Sequence, residues 1–176
     1  VDGNTMVVGF ETDHFYEKSY FNAVADLQKK IKSLQGVTAI LNIPDVVNLI
    51  NDTANAQFKS VKIFTPPYSS QVALDSAALI FKSLPFYKTL LYSPSSNAYL
   101  MAVSLDGAII NSKNRSVLIY DINTAIQAFE KETKSTVRLS GLPYIRTIVA
   151  DRIKKEMNIF LIASFVLSAL TLLLFF

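Results

Sequence analysis

Two β-α-β patterns, separated by a long insertion and followed by an uncharged apolar run, predict an α+β domain followed by a membrane helix. Of its 176 residues, 51% are hydrophobic and 18% are charged, which is apolar for a soluble domain. The excess lies at the C-terminus, because residues 159–176 include no charged residue, no proline and no glycine. In a helix this run would rise about 27 Å, close to the ~30 Å of a hydrocarbon core. We expect a transmembrane helix here rather than a buried core helix, since no amphipathic face remains.

The first β-α-β unit covers residues 6–41. Residues 6–12 are rich in β-forming side chains and predict a mostly buried strand. Residues 19–35 predict a helix that ends at Gly36, because their apolar positions fall on one face. Those positions are Phe21, Val24, Leu27, Ile31 and Leu34. Residues 37–41 predict a second, short strand.

The second unit covers residues 98–140. It predicts a strand over residues 99–105, an amphipathic helix over residues 115–134 and a last strand over residues 136–140, which Gly141 and Pro143 terminate. Two such units are typical of a ferredoxin-like split β-α-β sandwich, in which two helices cover one face of a four-stranded antiparallel sheet. We expect a core between helices and sheet that contains Val24, Leu27, Ile31, Ile122, Ile126 and Phe129.

The sequence therefore predicts one domain over residues 1–150 and a linker helix with a transmembrane helix over residues 151–176. An insertion at about residues 42–97 separates the two β-α-β units. It contains a turn at Pro66-Pro67 and a predicted helix over residues 70–83. A connection of this length with its own helix is usually functional.

Three stretches of the chain, taken in order, resemble one known family. They are residues 6–37, which end in Leu-Gln-Gly-Val, residues 84–91 (Leu-Pro-Phe-Tyr-Lys-Thr-Leu-Leu), and residues 140–147 (Ser-Gly-Leu-Pro-Tyr-Ile-Arg-Thr) just before the apolar run. In this order they resemble the first porter domain of the resistance–nodulation–division (RND) exporters, in the MMPL-like branch that exports hydrophobic and amphiphilic molecules. The resemblance covers essentially the whole chain.

The resemblance implies a part of a longer, polytopic, proton-driven transporter of the bacterial inner (plasma) membrane. Residues 1–150 would form a substrate-handling porter domain on the periplasmic, extracytoplasmic side, and residues 159–176 would begin the second transmembrane helix. Its expected partners are the lipid bilayer, the rest of the same transporter and a lipid-like or other hydrophobic substrate. The family's proton-relay carboxylates lie in later membrane helices, and residues 159–176 contain no ionisable group.

A basic cluster before the apolar run indicates the opposite orientation. Arg152, Lys154 and Lys155 lie next to the predicted span, and cytoplasmic flanks carry an excess of such residues. That rule compares the two flanks of a span, so a single cluster does not overrule the sidedness that the resemblance implies.

Aromatic residues of the insertion are the candidate substrate contacts. Phe64, Tyr68, Phe86 and Tyr87 would supply the apolar wall that an amphiphile needs. The alternative is that they form a small core of the insertion itself.

The sequence contains no pattern typical of a catalytic, metal, cofactor or nucleic-acid-binding site. The chain has one histidine, His14, and no cysteine, and a metal site needs more ligands than one histidine among scattered carboxylates. No Gly-rich phosphate motif occurs, and the net charge of +3 is not arranged as a basic stripe. We therefore expect no enzyme. A second hypothesis is a tail-anchored extracytoplasmic binding or sensor domain with a single span.

Overall fold

The structure is a computed structural model that describes residues 3–52 and 57–175. Residues 1 and 2 of the predicted domain and Phe176 of the predicted span lie outside the described residues. The elements in chain order are β1 (Thr5–Glu11), α1 (Lys18–Lys32), β2 (Val37–Leu41), β3 (Val47–Asp52), β4 (Gln57–Lys62), α2 (Gln71–Lys82), β5 (Tyr92–Ser93), β6 (Ala98–Leu105), α3 (Gly107–Ile110), α4 (Arg115–Thr133), β7 (Val137–Ser140) and α5 (Leu142–Phe175).

One antiparallel sheet carries the domain. Its strand order is β2-β6-β1-β7, and the short β5 pairs with the start of β6. Val8 of β1 lies opposite Met101 of β6 on one side and Leu139 of β7 on the other. The two predicted units thus share a single sheet, and the α+β class with a long apolar C-terminal helix is confirmed.

The core lies on one face of this sheet. Met6, Val8 and Phe10 alternate into it from β1, because successive strand residues point to opposite faces. Helices α1 and α4 contact each other and cover this face. The six predicted core residues are all buried: Val24, Leu27, Ile31, Ile122, Ile126 and Phe129. The predicted inward faces of both helices are therefore confirmed.

The insertion is anchored against α1 by polar side chains as well as by apolar contact. Gln71 of α2 accepts from the Lys18 backbone N–H at 2.8 Å, and Asn22 binds both the N–H and the carbonyl of Tyr68. The predicted helix over residues 70–83 is present as α2. The hairpin β3–β4, which follows Val46, was not predicted.

A single glycine connects β7 of the sheet to α5. Gly141 follows β7 with φ of +119°, and a Cβ there would lie 2.6 Å from the Thr5 carbonyl oxygen. Helix α5 then begins at Leu142, nine residues before the predicted linker helix. The first turns of α5 pack against the domain. Thr147 is buried there, and Tyr120 of α4 donates a hydrogen bond to Asp151. No flexible linker therefore separates the sheet from α5.

Candidate functional site

The four aromatic residues predicted as substrate contacts belong to one chain of rings. Phe64 is buried between Phe21 of α1 and Phe81 of α2, with ring centroids 4.9 and 5.7 Å away. Tyr68 is half-buried and also meets Phe21, at 5.9 Å. These contacts join the insertion to the domain, so Phe64 and Tyr68 have the positions of core residues.

The other two predicted residues are adjacent but differ in burial. Tyr87 is buried, stacks on Phe81 at 5.4 Å, and its hydroxyl donates to the Val47 carbonyl oxygen at 2.6 Å. Phe86 is 73% exposed, with its ring edge-on to that of Tyr87. Of the four, Phe86 alone presents a whole ring to solvent. A role for the set in a substrate path stays a prediction.

Further apolar side chains of the insertion also face solvent. They are Val72, Leu79, Ile80 and Leu90. Concentrations of exposed apolar residues on a domain mark surfaces that bind a protein, a lipid or a hydrophobic ligand. The outer surface of the insertion is therefore better suited to contact an apolar molecule than its interior, which is filled by its own aromatic rings.

A polar groove lies at the end of the sheet where β1 ends and β7 begins. Its volume is about 790 Å³, and charged side chains of both signs line it. Glu11 meets Arg138 at 3.5 Å, and His14 meets Glu17 at 2.7 Å. This combination suits a polar or zwitterionic group. The sequence did not indicate the groove, because Glu11 and Arg138 are neighbours only through the β1–β7 register.

Burial raises the pKa values of two tyrosines, of which Tyr20 lines this groove. Burial raises the pKa of Tyr20, and a hydrogen bond to Ser135 partly opposes that rise. Burial also raises the pKa of Tyr16 far above its ordinary value, with Tyr99 and Tyr92 adding to the effect. Both phenols therefore keep their protons to a higher pH than a free tyrosine does.

Helix α5 is long and apolar enough to span a membrane. It has 34 residues, and none of its most apolar stretch is buried in the domain. Ser168 and Thr171 donate to carbonyls one turn back, at 2.9 and 2.8 Å, so their hydroxyls are satisfied inside the helix. A fully exposed apolar helix of this kind is compatible with membrane association.

No protein-family model matches the chain, and comparison with characterised proteins gives no match. The family resemblance therefore rests on the three sequence stretches alone.

Proposed function

We propose that this chain is the first porter domain of an RND-type exporter of the MMPL-like branch, followed by the start of the second transmembrane helix. It would handle lipids or other hydrophobic molecules on the periplasmic side of a bacterial inner membrane. The rest of the same polytopic protein would supply the proton-driven step, because that step needs intramembrane carboxylates.

The sheet order supports a porter-type sandwich. β1-α1-β2 and β6-α4-β7 share one sheet in which β1 and β6 are central and β2 and β7 are outer. This order and the antiparallel pairing agree with a ferredoxin-like split β-α-β arrangement. We propose that architecture for the domain, with the insertion added between its halves.

The junction between β7 and α5 is the observation that carries the proposal. Asp151, the last α5 residue tied to the domain by a side-chain bond to α4, lies eight residues before Ile159, where the uncharged run begins. In a helix this interval rises about 12 Å. With residues 159–176 in a bilayer, the domain would lie directly above the membrane surface, where a protein that takes an amphiphile from a bilayer must work.

Replacing Phe86 by serine is expected to impair export without loss of the protein. Removing about 60 Å² of apolar contact would cost ~1.5 kcal/mol, roughly a tenfold weaker hold on the substrate. The measurement is cellular export of an amphiphilic substrate by the full-length protein, compared at equal membrane abundance.

The matched control for this experiment is Val117→Ser. Val117 lies on α4, outside the insertion, and is 60% exposed, so both changes add a hydroxyl at a solvent-facing position. Tyr87→Ser is expected to lower abundance instead, because it removes a buried ring and its bond to Val47. Equal export by Phe86→Ser and Val117→Ser would remove Phe86 from the substrate path.

The polar groove favours a second function, a tail-anchored extracytoplasmic binding or sensor domain. Its mixed charges, including Glu11 and Arg138, suit a water-soluble ligand better than an apolar one. The full-length gene product distinguishes the two functions. Several further spans with intramembrane carboxylates would support the exporter, and a single span would support the anchored domain.

A further inference from the structure

The hairpin β3–β4 extends from the domain with apolar side chains on both of its faces. Leu49 is 65% and Phe58 is 76% exposed on one face, and Ile50 and Val61 are exposed on the other. The described side-chain bonds that hold it are at its base, where Lys62 pairs with Asp45 at 3.1 Å and Tyr87 bonds to Val47. A two-stranded ribbon is marginally stable in water, and sheets of three or more strands are needed for independent stability.

The outer edge of β3 can accept another strand. Ile63 N–H donates to the Val46 carbonyl across the ribbon, which makes Val46 and Ile63 a hydrogen-bonded position of the ladder, although the Val46 N–H itself donates to the Ile43 carbonyl. Since such pairs alternate in an antiparallel ladder, Asn48 and Ile50 bond to β4, whereas Val47, Leu49 and Asn51 direct their backbone groups outward.

Tyr87 already occupies the first of these outward positions. Its hydroxyl accepts from the Val47 N–H at 3.3 Å and donates to the Val47 carbonyl oxygen at 2.6 Å, as a partner strand would. Within residues 3–52 and 57–175, β3 pairs with no strand other than β4. The outward groups of Leu49 and Asn51 are therefore the ones that remain for another chain.

The two edges of the hairpin differ in charge. Strand β4 carries Lys59 and Lys62, and lysines on an edge strand oppose pairing with a further strand. Residues 47–51 of β3 carry no charge, and the one charged residue of the strand is its last, Asp52. The β4 edge is thus protected against pairing with a further strand, and the β3 edge is open. This pattern is expected if only one strand is to be added to the hairpin.

We propose that the β3 edge binds the β3 edge of a second copy of this chain, antiparallel, around a two-fold axis at Ile50. Leu49 of each copy then forms backbone hydrogen bonds with Asn51 of the other copy. These are the two residues whose outward backbone groups Tyr87 does not bind. The result is a four-stranded sheet with β4 at both ends, so that lysine-bearing edges stop further growth. A two-fold contact of this kind is closed and self-complementary.

The contact is small, so it depends on the membrane. The exposed phenyl ring and aliphatic side chains of the hairpin β3–β4 offer on the order of 300 Å² per copy, whereas a standard interface buries about 800 Å² per partner. Two copies held by α5 in one bilayer meet at a raised effective concentration, which favours a weak pairing. The pairing requires the membrane helix but no particular substrate.

Disulfide cross-linking of the full chain in lipid vesicles tests the proposal, because the chain has no cysteine of its own. Facing residues of a non-hydrogen-bonded pair have Cα atoms about 4.5 Å apart, within the ~4.4–6.8 Å that a disulfide spans. Ile50→Cys is therefore expected to give a covalent dimer on mild oxidation. The matched control is Lys59→Cys, which faces Ile50 within the hairpin but lies on the protected strand; we expect at least about fivefold less dimer from it.

A second pair of variants tests the edge itself. Leu49→Lys, made in the Ile50→Cys chain, places a charge on the open edge and is expected to reduce the cross-link at least about fivefold. Ser60→Lys adds the same charge opposite Leu49 on β4 and is expected to leave the cross-link intact. Equal thermal midpoints under reducing conditions would show that each variant is folded. Three outcomes would each contradict the pairing. The first is equal cross-linking of Ile50→Cys and Lys59→Cys, and the second is the absence of a dimer from Ile50→Cys. The third is a cross-link from Ile50→Cys to a different protein.

Discussion

Replacing Gly141 by alanine is expected to destabilise the domain by about 3 kcal/mol or more. The residue has φ of +119°, which side chains rarely adopt, and its new Cβ would lie 2.6 Å from the Thr5 carbonyl oxygen and 2.9 Å from the Met6 Cα. Backbone atoms of β1 cannot move aside without disturbing the centre of the sheet. Urea unfolding in detergent, followed by tyrosine near-UV circular dichroism, measures the loss.

Gly9→Ala is the matched control. Gly9 also lies against β7, but a Cβ there would be 3.6 Å from the Arg138 carbonyl oxygen, an ordinary contact. Since glycine inside a strand is entropically unfavourable, alanine is expected to change stability by less than about 1 kcal/mol. Equal losses at the two glycines would contradict the account of the β7–α5 junction.

Replacing Phe129 by alanine is expected to cost about 3–5 kcal/mol. Its ring lies edge-on to Phe10 of β1 at 5.6 Å and to Tyr20 of α1 at 5.5 Å, so it joins both helices to the sheet. Removing it leaves a cavity that three elements line. The free energy of unfolding in urea is again the measurement, and Ile31→Ala on α1 is expected to cost about 2–5 kcal/mol.

The control on the same helix is Val117→Ala. Val117 is exposed on α4, so its replacement removes little buried surface and is expected to cost less than about 0.5 kcal/mol. A loss at Phe129 no larger than that at Val117 would mean that α4 does not present this face to the sheet.

The regular halves of the domain could be predicted from the sequence because burial imposes a period on them. Phe129 and Ile31 recur at helical spacing with other buried residues, and Met6, Val8 and Phe10 alternate as one face of a strand. Strand pairing could not be derived in the same way. It depends on contacts between distant residues, such as Val8 with Leu139, that no local pattern specifies.

The hairpin and the groove could not be predicted because neither has a buried face. Every residue of β4 is exposed, so no alternation distinguishes it from a loop. Likewise, the insertion's aromatics indicated an apolar environment, but whether Phe64 lies inside and Phe86 outside depends on partners such as Phe21 and Phe81. Composition predicted a clustering of rings, and only the packing separates buried rings from exposed ones.

The unbroken course of α5 makes the domain and the candidate membrane segment one mechanical body. A helix of 34 residues is about 51 Å long, so a change of tilt of about 10° displaces one end relative to the other by roughly 9 Å. Membrane helices adopt tilts of about 0–40° and adjust them to bilayer thickness. Because Gly141 is confined by Thr5 and Met6, the sheet has little freedom to absorb such a rotation. With α5 in a membrane, a thinner or thicker bilayer would therefore swing the whole sheet, with its groove and the hairpin β3–β4, across the membrane surface.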